Sequence, residues 1–136
     1  ENLKLAQIAP PIGWSIERVY DLFPRLGERR SQEGVTLSGG EQQMLATARA
    51  MCVEPRVLLL DEPTEGLQPS MIDQIRHVVV TMRDQGVAVV LVEQRTEAVL
   101  ALADRVAFIE NGRNMETLTG DALRAAPEKL ARYLGV

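Results

Sequence analysis

The sequence has 136 residues, 46% hydrophobic, which is enough for one core and bounds the chain at one domain or part of a larger one. The net charge of −4 argues against a nucleic-acid-binding surface, which needs a basic face. A single cysteine, Cys52, excludes an internal disulfide framework and a multi-cysteine metal site, and no apolar run reaches the roughly 18 residues of a membrane-spanning helix.

The first residues, Glu1-Asn2-Leu3-Lys4, carry no initiator methionine and no secretory signal. They read like the middle of a protein, so a fragment is expected. Residues 1–8 suit a short helix halted near Pro10-Pro11. Residues 15–23 read as an amphipathic helix, with Ser15 as its cap and Ile16, Val19, Tyr20 and Phe23 at helical spacing. Pro24 and Gly27 are expected to break or kink it, and residues 28–36 are polar and loop-like. A second helix is predicted from Glu41 to Val53, with Met44, Leu45, Ala48, Met51 and Cys52 as its buried stripe. Cys52 there reads as a small core residue.

Residues 56–60 form a short apolar strand, and a polar loop over 61–69 leads to a helix at 70–84 with Met71, Ile72, Ile75, Val78, Val79 and Met82 facing inward. Gly86 stops that helix from just past its end. The run Val87-Ala88-Val89-Val90-Leu91-Val92 lacks alternation and reads as a strand buried on both faces. A helix at 96–103, a strand at 105–110, a hairpin turn at Asn111-Gly112, a returning strand at 113–118 and helix over 121–133, interrupted near Pro127, complete the chain. Strand, helix, strand, helix, strand is the order of a parallel α/β sheet.

Two motifs carry chemistry. In Leu37-Ser38-Gly39-Gly40-Glu41-Gln42-Gln43, consecutive glycines let a charged ligand approach the backbone. The helix starting there aims unsatisfied amides and a partial positive charge at the same point, so a phosphate is the natural partner. A plain Ser-Gly-Gly helix cap is the simpler reading of those three residues alone. The second motif closes the aliphatic strand Val57-Leu58-Leu59-Leu60 with Asp61-Glu62-Pro63. Carboxylates at the C-terminal end of a parallel strand sit where α/β sheets bind ligands. Neighbours on a strand point oppositely, so the two acids take different tasks. Asp61 suits magnesium, held through water, and Glu62 suits orienting or deprotonating the water that attacks a terminal phosphate. The bland alternative is that both cap the next loop. His77, in mid-helix, reads as structural or exposed. Trp14 and the Phe23 region fit either core or a docking face.

With these motifs the chain resembles the ATP-binding subunit of an ABC transporter. The likeness runs from Glu1-Asn2-Leu3 through the signature at 37–43 and the acidic strand at 57–62 to Tyr133-Leu134-Gly135. Gly40-Glu41-Gln42-Gln43-Met44-Leu45-Ala46, Val92-Glu93-Gln94 and the Tyr-Leu-Gly tail look like importer ATPases for branched-chain amino acids. Thr64-Glu65-Gly66-Leu67-Gln68-Pro69-Ser70 also looks like urea and short-chain amide importers. The resemblance implies an α/β fold: a truncated parallel sheet of the P-loop NTPase type, with a helical signature subdomain at the N-terminal end (1–54) and the C-terminal part of the ATPase core (55–136).

It implies that Glu62 and Gln94 are catalytic, Gln94 standing where most of the family has a phosphate-contacting histidine; a solvated loop residue is its plain alternative. Ser38, Gly39, Gly40 and Glu41 become the ATP-binding residues and Asp61 the Mg2+ residue. The loop 64–69 falls where the family crosses to its partner subunit, with Leu67-Gln68 in place of the usual Leu-Asp; a simple loop leading into the next helix is the alternative.

The implied partners are a second ATPase subunit, membrane permease subunits and, indirectly, a solute-binding protein, with no nucleic acid. The implied location is peripheral, on the cytoplasmic face of the inner membrane. A non-transport ABC ATPase and a non-catalytic association module are the competing readings. No stretch matches the phosphate-cradling Gly-x-x-x-x-Gly-Lys-[Ser/Thr] loop. The fragment alone is therefore expected to be inactive and, with its sheet edges open, to self-associate.

Overall fold

A computed structural model of the chain describes residues 1–7 and 13–134. The described residues separate by contacts into two compact units, Glu1–Val92 and Glu93–Val136. The boundary suggested by the sequence, between 54 and 55, falls inside the first unit.

The first unit contains α1 (Asn2–Ala6), α2 (Ile16–Leu22), α3 (Pro24–Glu28), a 3-10 turn at Gly34–Thr36, α4 (Gly39–Cys52), β1 (Val57–Asp61), α5 (Pro69–Asp84) and β2 (Ala88–Val92). Its centre is α4, which touches α1, α2, α3 and β1. The apolar spacing of α4 explains this: Met44, Ala48, Met51 and Cys52 are all buried, each larger side chain contributing about 1.5–3 kcal/mol. Ser15 caps α2, its hydroxyl accepting the Arg18 N–H at 3.2 Å. Pro24 does not merely end that helix. Its fixed φ suits a first helical position, and it starts α3. The Pro10-Pro11 stop expected for the first helix lies outside the described residues.

The strands β1 and β2 pair in parallel, with Leu58 opposite Val89 and Leu60 opposite Leu91. Leu58 and Leu60 are buried, on the side where α4 meets β1 and α5 meets β2. The expectation that 87–92 is buried on both faces is overturned. Val90 is 48% and Val92 53% exposed, and on β1 Leu59 is 73% exposed. Among the described residues the sheet has two strands, and helices cover one face only. A continuous apolar run states what both faces are made of, not whether both are covered.

The second unit contains α6 (Thr96–Leu102), β3 (Arg105–Glu110), β4 (Arg113–Thr119), α7 (Gly120–Ala125) and α8 (Glu128–Leu134). β3 pairs with β4 antiparallel, in a sheet separate from β1 and β2. Asn111 and Gly112 take φ of 48° and 73°, the pair of positive values that a two-residue hairpin turn requires. The core of this unit is Phe108, Leu123 and Leu130. The Phe108 and Tyr133 rings stack with centroids 4.1 Å apart, and Lys129 pairs with Glu116.

Candidate nucleotide site

Ser38 is the N-cap of α4, with extended φ and ψ of −62° and 160°. Its hydroxyl accepts the Glu41 N–H at 3.4 Å. Glu41 reaches back, and its Oε2 accepts the Ser38 N–H at 2.9 Å and the Ser38 hydroxyl at 2.9 Å. This reciprocal box satisfies the third amide of the helix. Gly39 and Gly40, at the first two helical positions, have no intrahelical acceptor for their N–H groups. The box signature Ser-x-x-Glu stands in the sequence. The charge beyond it does not: Glu41 Oε1 takes Arg29 Nε at 2.7 Å. Glu41 is only 8% exposed. Its carboxyl is held below the usual carboxylate range, first by the Ser38 amide, then by the Ser38 hydroxyl, with Arg29 adding to both.

The two glycines differ. A Cβ placed on Gly39 meets nothing within 4 Å, whereas on Gly40 it falls 2.7 Å from Met71 Sδ and 3.1 Å from Leu67 Cδ2. Gly39 therefore leaves space for a ligand, and Gly40 leaves space for a neighbouring part of the protein. That neighbour belongs to the segment that follows the acidic pair, so the structure brings the turn at 38–41 against the continuation of Asp61-Glu62.

Asp61 ends β1 and is exposed; Glu62 is half-buried, and Pro63 and Thr64 behind it are buried. Strand alternation holds only as far as Asp61. Glu62 has φ of +44°, which is uncommon for any residue but glycine, so its direction is set by a left-handed turn and not by the pleat. Its N–H still donates to Val92 O at 2.9 Å, which ties the turn to the end of β2. Backbone strain of this kind, about 1–3 kcal/mol, gathers at functional sites. Among the described residues no group of three or more His, Cys, Asp or Glu side chains forms a metal cluster. A lone strand-end carboxylate is nonetheless a fitting magnesium ligand, since that ion keeps several waters and takes phosphate oxygens.

Gln94 lies on the exposed stretch between β2 and α6, in the second unit. His77 is exposed on α5. Trp14 and Phe23 are buried, at 4% and 0% exposure, and Arg18 lies over the Trp14 ring. The docking-face alternative for these two aromatics therefore gives way to the core reading.

Residues 7–65 match the family model described as "ABC transporter". Over 88% of its length the chain is 49% identical to BraG of Pseudomonas aeruginosa, a high-affinity branched-chain amino acid transport ATP-binding protein, covering 52% of that protein. The chain belongs to the ABC transporter ATP-binding family. A second family member, the glutamate/aspartate import ATP-binding protein GltL of Escherichia coli K12, is 34% identical over 94% of the chain and 55% of its own length. The chain thus spans about half the length of these ABC relatives. A solved ATP-binding subunit of an ABC transporter superposes on 99% of the chain and 61% of its own, with a TM-score of 0.79 at 24% identity, a likeness of fold. Another solved ABC component, cbiO1 of Clostridium perfringens, part of the transporter complex cbiONQ, aligns over 88% of this chain and 50% of its own with a TM-score of 0.66 and 26% identity.

Proposed function

We propose that the chain is the signature-bearing part of an importer ATPase, and that the intact subunit hydrolyses ATP to drive uptake of branched-chain amino acids or similar small solutes. The observation that carries this reading is the seating of the signature turn on the segment after the acidic pair, through Gly40, Leu67 and Met71. The likeness to BraG supports the choice of solute class.

In this reading the open amides of Gly39 and Gly40 and the Ser38 hydroxyl receive phosphate oxygens, at the positive end of the 14-residue helix α4. Asp61 would hold Mg2+, an ion that takes carboxylate and phosphate oxygens. Glu62, oriented by its left-handed backbone, aligns the attacking water and accepts its proton. Gln94 contributes an uncharged amide donor, which cannot itself titrate. The division into a helical signature part (1–54) and an ATPase-core part (55–136) belongs to the same proposal. A second ATP-binding subunit completes the site and membrane permease subunits receive the work, with a solute-binding protein acting indirectly and the subunit peripheral at the cytoplasmic face of the inner membrane. Among the described residues no helix is long and apolar enough to cross a membrane.

The test is phosphate release by the complete subunit with its permease partners in liposomes. Binding protein loaded with leucine should stimulate turnover, and protein loaded with glutamate should not. Glu62→Gln should lower kcat by about 100-fold or more, the scale of a lost general base. Turnover that survives Glu62→Gln would remove the catalytic assignment, and stimulation by glutamate alone would remove the solute class.

A further inference from the structure

We propose that Arg29 is a positioning residue that governs the Ser38 hydroxyl through Glu41, a charge-compensated latch behind the signature turn; this rests on the nucleotide-binding reading above. A serine hydroxyl carries one proton. Here that proton is given to Glu41 Oε2 at 2.9 Å, so the hydroxyl has none to offer a phosphate. The same Oε2 holds the Ser38 amide at 2.9 Å, and Oε1 holds Arg29 Nε at 2.7 Å. Arg29 is itself oriented, its Nη1 donating to Gln32 Oε1 at 3.0 Å, and it occupies the C-cap of α3.

Two consequences follow from this wiring. A phosphate oxygen resting on the Gly39 and Gly40 amides gains the Ser38 proton by a rotation about the Cβ–Oγ bond alone. That rotation leaves the Ser38 amide on Oε2 and the Glu41 amide on Oγ, so the helix cap survives the exchange. The exchange trades one charge-assisted hydrogen bond for another, and its balance depends on how strongly Glu41 keeps the proton. Arg29 weakens that hold by drawing the carboxylate charge towards Oε1. It also cancels a buried negative charge that would otherwise face the incoming phosphate from behind the first helical turn. The connection between α3 and α4 thereby sets the phosphate affinity of a turn it does not belong to.

A simple tether between α3 and α4 would use the same ion pair, so the test must separate the two roles. ATP hydrolysis by the complete subunit with its membrane partners is measured with KM and kcat apart, for Arg29→Met, Arg29→Lys, Glu41→Gln and the double variant Arg29→Met/Glu41→Gln. Arg29→Met should raise KM for ATP about tenfold, the scale of a buried carboxylate charge left uncompensated behind the phosphate, with kcat within about twofold. Arg29→Lys, which keeps charge but loses the planar fork, should fall between. Glu41→Gln keeps the capping box and should lower KM about threefold. The double variant should return KM to within about threefold of the unsubstituted protein, because the charge that Arg29 compensates is gone.

A tether predicts that KM follows melting temperature through all four variants, so that Glu41→Gln, which weakens the same ion pair, raises KM as Arg29→Met does; that result overturns the latch. If Arg29→Met does not fold, Glu41→Gln decides alone, and an unchanged or raised KM overturns it. Absence of any turnover in the unsubstituted complex is a different outcome, which removes the ATP-hydrolysis reading and the latch with it.

Discussion

Gly39 and Gly40 look interchangeable as letters, yet the space around them differs. Alanine at 40 places a methyl against Met71 Sδ and Leu67 Cδ2. Both are ends of side chains, and methionine is adaptable, so the cost should sit at the lower end of overpacking, about 1 kcal/mol. Met71→Ala in the same chain should recover most of it. Alanine at 39 meets open space and should leave the fold unchanged or slightly firmer, since glycine is a poor helix residue, while its methyl obstructs the amides in the intact subunit. Thermal melts of the two single variants and the Gly40→Ala/Met71→Ala double check this, and equal destabilisation by both single variants would contradict it. The candidate site was legible in part: Ser38-x-x-Glu41 announces a cap and Asp61-Glu62 announces a strand-end acid pair. Arg29 was not legible, because an ion pair across 12 positions leaves no local pattern. Nor was the left-handed backbone of Glu62, because nothing in Asp-Glu-Pro requires it.

At the scale of elements, patterning placed the helices and strands well wherever a cap or a breaker marked the end. Ser15, Ser38, Gly86 and Asn111-Gly112 all act as their chemistry suggests. Coverage of sheet faces depends on other elements and was not readable from the strand itself. On β1 and β2 the uncovered face presents Val57, Leu59, Val90 and Val92, between 48% and 73% exposed. Two parallel neighbours with such a face invite further pairing. The purified chain should therefore gain mass with concentration in sedimentation, and Leu59→Thr/Val90→Thr should reduce that gain. Its melting temperature should move little, since exposed side chains contribute little burial to lose. Identical concentration dependence for the two proteins would place the contact elsewhere.

At the scale of the molecule, the question is how much nucleotide affinity 136 residues without a Gly-x-x-x-x-Gly-Lys-[Ser/Thr] loop hold by themselves. The signature turn offers two open amides and one hydroxyl. A hydrogen bond adds about 1 kcal/mol net, and the hydroxyl must first leave Glu41 Oε2, so its exchange adds close to nothing. About 2 kcal/mol remains, against about 4.1 kcal/mol for a dissociation constant of 1 mM, before the cost of immobilising the ligand. The chain alone should therefore bind ATP more weakly than millimolar by calorimetry, and its phosphate release should match that of Glu62→Gln. The role proposed for Glu62 needs a bound phosphate, because a water can be aligned only against a phosphate that stays. Turnover by the purified chain that disappears with Glu62→Gln would mean that α4 and the end of β1 grip nucleotide unaided, and the proposal that a second ATP-binding subunit completes the site would fall.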